Sequence, residues 1–241
     1  MSSPAVGLVG KQEPRVACYP AAVVSREAGE RALDIADIAG RNWPQWQQTC
    51  VLEGMATRAD GRWAAREVCV LCSRQNGKNG GLEIVELGWL LNEPGISVLH
   101  TAHETVTAME AMDRLVGLLG SHPLLEAEIA PRGIRRGNGK EMIRFRNGSV
   151  IRFRTRTKSF GRGFSVDRLV IDEAMIYSPA AKAALEPMLT TADKPGSTGR
   201  GAQIWYLGSA PDGGRESTTT PTTCSATARC GETWPTRRGR R

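Results

Sequence analysis

The spacing of apolar positions changes several times along the chain, and each change marks an element. A helix is predicted from Ser25 to Ala39. After Pro44, a favourable first-turn residue, Trp46, Cys50, Val51 and Met55 recur at helical spacing, which predicts a helix ending near Gly61. Arg66–Leu71 then reads as a buried strand and Gly80–Leu91 as a helix. Ile96–Ala102 is a second strand, followed by a helix over His103–Gly120 whose apolar stripe is Val106, Met109, Met112, Leu115, Val116 and Leu119. Strand, loop, helix, strand, helix is the order of a parallel α/β sheet.

Downstream, Met142–Thr157 predicts a β-hairpin, because Asn147-Gly148 favours a two-residue type I′ turn between alternating flanks. One face carries Ile143, Phe145, Ile151 and Phe153, and the other Arg144, Arg146, Arg152 and Arg154. Such a basic face is either solvated or in contact with phosphates. Arg168–Ala174 is a short apolar run ending in two carboxylates, with a helical stretch beyond it to Leu189. Gln203–Pro211 is a further buried strand running into a turn of small residues.

The composition narrows the class. At 241 residues the chain can bury a sizeable core. No run approaches the roughly 18 apolar residues of a membrane helix, and the N-terminus lacks the layout of a secretory signal, so an intracellular protein is expected. Cys69 and Cys72 form a C-x-x-C without a second close pair and read as buried or loop thiols. The net charge of +7 is unevenly placed: Ala130–Arg168 holds twelve Lys or Arg against Glu141 and Asp167. Basic charge concentrated in one segment points to a polyanion partner. From Asp212 to Arg241 there is no Val, Ile, Leu, Met, Phe or Tyr but eight Thr, a composition expected to remain disordered.

Two segments carry chemistry. Cys72-Ser-Arg-Gln-Asn-Gly-Lys-Asn79 has the outline of a phosphate-binding loop, with Gly77, Lys78 and a following helix. Cys72 stands where that motif has its first Gly, and Asn79 where it has the Ser or Thr that ligates Mg²⁺. The second segment, Leu169–Ala174, places Asp172 and Glu173 at the carboxyl end of a strand, where open α/β sheets bind ligands. Nucleotide hydrolysis needs that division of labour: Asp172 to hold Mg²⁺ through water, Glu173 to orient and deprotonate the attacking water.

Trp43-Pro-Gln-Trp-Gln47, Ser73–Asn79, Gly161–Ala174 and Leu207–Pro211, in this order, resemble the ATPase domain of the large terminase subunit of tailed phages. The resemblance covers residues 42–211 and implies a P-loop NTPase fold, a mainly parallel sheet flanked by helices, with an inserted basic hairpin. It leaves 1–41 as an N-terminal arm or small lobe and 212–241 as a tail. It implies ATP and Mg²⁺ as cofactors, with Ser73, Arg74, Gln75, Asn76, Gly77, Lys78 and Asn79 as the phosphate loop. Arg74 would contact phosphates and Lys78 the β- and γ-phosphates, while Asp172 would be the metal acid, Glu173 the catalytic acid and Asn79 a further metal contact. Gln47 matches an adenine-sensing glutamine, Gly208, Ser209 and Ala210 match a small-residue coupling motif, and Arg162 is a candidate for contact with a neighbouring subunit.

The same resemblance implies double-stranded DNA, a portal protein and a small terminase subunit as partners, a homo-oligomeric ring on the portal, no membrane, and a place in the host cytoplasm. It leads one to expect a nuclease domain after the coupling motif. Nothing beyond Pro211 reads as one, so no nuclease activity and a truncation there, by a frameshift, are expected. A helicase-like nucleic-acid-stimulated ATPase and a non-catalytic fragment that binds nucleotide or a portal are the alternatives.

Overall fold

Helices α1 (Glu27–Ile38) and α2 (Gln45–Gly54) precede the first strand, β1 (Glu67–Cys72). Helix α3 (Lys78–Asn92), strand β2 (Ser97–Ala102), helix α4 (Thr105–Leu119) and a short α5 (Pro123–Ala127) follow. The chain then forms β3 (Ile129–Arg135), β4 (Met142–Phe145), β5 (Val150–Thr155), β6 (Arg168–Ile171), a 3-10 turn at Ala174–Ile176, α6 (Pro179–Leu185) and β7 (Gln203–Ser209). The computed structural model describes residues 12–73, 75–137, 139–156, 165–185, 187–189 and 199–209.

The strands form one sheet in the order β1-β7-β6-β2-β5-β4-β3. β1, β7, β6, β2 and β5 run parallel, and β4 and β3 continue the sheet antiparallel. A mixed α/β fold with a mainly parallel sheet is therefore the architecture, as the strand-helix alternation predicts. The basic hairpin is built into this sheet, because β5 pairs directly with β2.

Apolar side chains pack on both faces. On one, α3 and α4 cover Val98, Ile143, Phe145, Ile151, Phe153 and Trp205. Helix α3 is buried nearly all round because α1 and α2 close over it, with Ala32 and Ala36 of α1 inside the same core. The approach is tight: a Cβ at Gly88 would meet the Ala32 Cβ at 2.4 Å. On the other face a smaller cluster of Leu99, Leu169, Ile171, Tyr177, Leu185, Ile204 and Tyr206 lies over β2, β6 and β7 only.

Four local expectations differ from the structure, and two elements, α5 and β3, were not expected. β1 is an edge strand with Leu71 58% exposed, not a buried one. An apolar run reports strand propensity and leaves open whether a second neighbour is present. Helix α2 stops at Gly54, short of Gly61, and Val106 of the predicted α4 stripe is exposed. The hairpin turn spans three residues, not two: Gly148 has φ 87°, its N–H donates to the Phe145 carbonyl at 3.1 Å, and Asn147 is not left-handed. This is the type I turn with a following left-handed glycine. Register explains it. The structure opposes Ile143 with Ile151 and Arg144 with Val150, whereas a two-residue turn would put Arg144 opposite Ile151 and mix the two faces.

Candidate functional site

β1 ends at Cys72, and the loop that follows turns sharply into α3. Gln75 (φ 58°) and Gly77 (φ 75°) both lie in the left-handed region, a cost of about 1 kcal/mol for the side-chain-bearing Gln75. Cys72, as the last strand residue, does not, so a glycine is not needed there to relieve strain. Its sulfur accepts the Lys78 backbone N–H, and burial, more than the opposing pull of Lys78, raises its thiol pKa. Gly77 is required twice over, by its φ and because a Cβ would come 3.0 Å from Gln47 Nε2.

Gln47, on α2, lies against this loop. Its Nε2 donates to the Gly77 carbonyl at 2.7 Å, while its Oε1 is buried without a hydrogen bond. A Cβ on Gly80 would sit 2.9 Å from the same amide, so the opening of α3 is kept small where the glutamine packs. A cavity of about 640 Å³ adjoins, flanked by Trp46, Cys50, Cys72 and Asn76. Ser73 and Asn76 are exposed on the loop.

Lys78, the first residue of α3, turns toward β6. Its Nζ lies 3.0 Å from Asp172 Oδ1 and 3.1 Å from Asn79 Oδ1. Asp172 is fully buried. Burial alone would raise its carboxyl, but His100, Lys78 and the Glu173 N–H outweigh it and hold the pKa below the usual carboxylate range. Its Oδ2 makes no hydrogen bond, so one carboxylate oxygen remains to take a ligand. Glu173 follows in left-handed backbone (φ 53°, ψ 49°), and its Oε2 accepts the His103 N–H at 3.2 Å.

Sequence reasoning missed three residues around the acids. Arg156 donates to the carbonyls of Thr101, Asp172 and Glu173. His100, on β2, is buried with Nδ1 2.6 Å from Glu86 Oε1, and its Nε2 has no partner. The third is Glu86 itself, a buried carboxylate on α3. Arg156 had a signal, the continued alternation of Arg152, Arg154 and Arg156; the His100–Glu86 contact had none, because the two residues lie on different elements.

The expected basic face is divided. β5, β4 and β3 carry it beyond the edge of the smaller apolar cluster. Arg144 is exposed, Arg152 donates to Ser97 Oγ at 2.8 Å, and Arg154 is bound to Glu141 at 3.1 Å. Arg146 lies in the turn and donates to the Ala127 carbonyl at 2.6 Å, because the three-residue turn takes it off the strand face. Burial, then the nearby charges of Arg144 and Arg154, lower the Arg152 pKa.

Gly208 and Ser209 end β7 beside β1, with Ser209 opposite Cys72 and Gly208 opposite Leu71, so these two residues adjoin the start of the loop. A Cβ at Gly208 would come 2.5 Å from Leu71 Cδ2. Arg74, Arg162, Ala210 and the tail lie outside the described residues. Among those described, no three His, Cys, Asp or Glu side chains form a metal cluster, and no helix is long and apolar enough to cross a membrane.

No family model and no curated protein matches the chain. Solved structures do. The HK97 bacteriophage large terminase aligns over 75% of this chain and 37% of its own, at 14% identity and TM-score 0.58. An arginine-to-alanine mutant of the Thermus phage P74-26 large terminase ATPase domain aligns over 74% of this chain and 69% of its own, at 17% identity and TM-score 0.53. The same domain in another structure gives 71% and 66%, 16% and 0.51. The chain thus spans little over a third of the HK97 protein. Over about three quarters of its length the chain has the fold of the ATPase domains of phage large terminases.

Proposed function

We propose that this chain is an ATP-hydrolysing motor domain of a phage large terminase, whose turnover drives double-stranded DNA into a prohead. The observation that carries the reading is the meeting of Lys78 with Asp172, 94 positions apart in sequence, beside the left-handed loop that opens α3. A cationic amine, helix-terminal amides and a buried carboxylate with one unpartnered oxygen form the donor and acceptor set of a Mg-nucleotide site.

In this reading Lys78 binds the β- and γ-phosphates, aided by Ser73, Arg74, Gln75, Asn76 and Gly77. Asp172 and Asn79 would hold Mg²⁺, which when bound neutralises charge developing on the phosphates. Glu173 orients the attacking water and accepts its proton. Gln47, whose amide packs against Gly77 and Gly80, is the residue that senses the adenine base. Gly208 and Ser209, which adjoin the loop, and Ala210 after them carry the state of the site toward movement.

The face bearing Arg144, Arg152 and Arg154, with Arg146 at its turn, contacts DNA phosphates without reading bases. Arg162 completes a neighbouring subunit's site in a ring on the portal, assembled in the host cytoplasm with a small terminase subunit. Nuclease activity is not expected of these residues.

Steady-state ATP turnover tests the reading, with and without double-stranded DNA, beside Lys78→Ala and Glu173→Gln. Turnover lost in both variants supports it. Turnover that persists in Lys78→Ala, or an absence of Mg-ATP binding by the unmodified chain, overturns it.

A further inference from the structure

Arg156 follows β5 directly and continues its pairing with β2, its backbone N–H donating to the Ala102 carbonyl at 3.0 Å. Side chains alternate along a strand, so Arg152, Arg154 and Arg156 share one face of the sheet. The first two carry the basic face. The third turns to the acids instead: Nη1 donates to the carbonyl of Asp172 at 2.6 Å and of Thr101 at 3.0 Å, and Nη2 to the carbonyl of Glu173 at 3.3 Å. Its guanidinium also lies over the Tyr177 ring, 5.8 Å from the centroid. Burial lowers its pKa, against the pull of Glu173 and Asp172.

Successive carbonyls of an extended chain point to opposite sides. Those of Asp172 and Glu173 converge on one cation because Glu173 adopts φ 53° and ψ 49°, an unfavourable conformation for a residue with a Cβ. Without the cation, two converging carbonyl dipoles would drive this peptide back toward extended backbone. The Glu173 carboxylate would then leave the His103 amide and point elsewhere. A planar guanidinium can serve three carbonyls at once, which an ammonium on a flexible stem does poorly.

We propose that Arg156 is the positioning residue for Glu173: its guanidinium holds the left-handed kink after β6 and thereby sets where the hydrolytic carboxylate points. The proposal rests on reading Glu173 as the acid that acts on water. Among the described residues Arg156 makes no hydrogen bond to the loop before α3, so its loss acts on turnover and spares nucleotide binding.

The test uses the full chain with Arg156→Gln and Arg156→Lys. The expected result for Arg156→Gln is a fall in kcat of at least tenfold with the Kd for Mg-ATP within twofold of the unmodified chain, and only partial recovery in Arg156→Lys. An unchanged kcat, or kcat and affinity lost together, overturns the proposal. Hydrogen exchange on the same proteins reads the geometry without turnover: Arg156→Gln should raise exchange at residues 173–176 and His103 while β7 is unaltered. Exchange unchanged at 173–176, or raised across the whole sheet, overturns the proposal even if the unmodified chain hydrolyses no ATP. Lys78-independent nucleotide binding, by contrast, overturns the ATPase reading and leaves the exchange data to decide on Arg156.

Discussion

Lys78 Nζ and Asp172 Oδ1 stand 3.0 Å apart, and the aspartate is fully buried. Removing the amine would leave a buried carboxylate without the cation that hydrogen-bonds it. Lys78→Met is therefore expected to destabilise the unliganded chain by about 2–4 kcal/mol, and Lys78→Met with Asp172→Asn to recover most of that. Urea denaturation of the single and double variants measures it. Additive losses would show that the pair does not interact energetically.

Gly77 and Gln47 together set the loop before α3. Gly77→Ala places a Cβ on a left-handed residue 3.0 Å from Gln47 Nε2, so the loop must deform. Mg-ATP affinity is expected to fall by at least tenfold, about 1.4 kcal/mol, with α3 still helical. Calorimetric titration beside circular dichroism separates the two effects.

The basic face is unequal in what it offers to DNA. Arg144 is exposed, whereas Arg152 donates to Ser97 Oγ and Arg154 engages Glu141. Arg144→Ala should flatten the dependence of log affinity on log salt by roughly one unit. Arg154→Ala should change that slope less and stability more. Fluorescence titrations between low and moderate salt decide between them.

Arg168 is fully buried, pairs with Glu93 at 2.5 Å and lies between Trp63 and Trp89, 5.0 and 5.9 Å from their centroids. Arg168→Met would remove the guanidinium that pairs with a buried glutamate and is expected to cost about 3–5 kcal/mol. Adding Glu93→Leu should recover much of the loss, read as a rise in the denaturation midpoint over the single variant.

Burial pushes the Cys50 thiol up to about 11, with the neighbouring Cys72 adding to the shift. At pH 8 its alkylation should run roughly 100-fold slower than that of a free thiol and rise about tenfold per pH unit. The unfolded thiol ionises near 9 and the folded one near 11, so the native state holds the proton longer and stability falls as pH climbs between them. A rate already flat by pH 9 would contradict this environment.

Much of the site was legible because it is written in contiguous residues. The loop before α3 and the acids after β6 each occupy a few positions, where backbone amides, a lysine and a strand end require particular residue types. Cys72 looked anomalous only while the loop was assumed to begin on a strained residue; the structure places the left-handed backbone at Gln75 and Gly77 instead. The hairpin shows a subtler failure. The alternation of Ile and Arg was itself incompatible with a two-residue turn, since opposed residues share a face, and the faces prevailed over the Asn-Gly preference.

The sequence by itself determined most of the strand and helix order, though not α5 or β3, together with the sharp loop before α3, the two acids after β6 and the concentration of basic charge, because these follow from short-range periodicity and local backbone preference. Only the tertiary structure decided that β1 lies at an edge, that Arg154 faces Glu141, that His100 meets Glu86, and that Arg156 gathers the carbonyls behind the acids. The reason is physical. Which neighbour a strand receives, and which charge finds a partner as it is buried, depend on residues tens of positions away that become adjacent only when the sheet is complete.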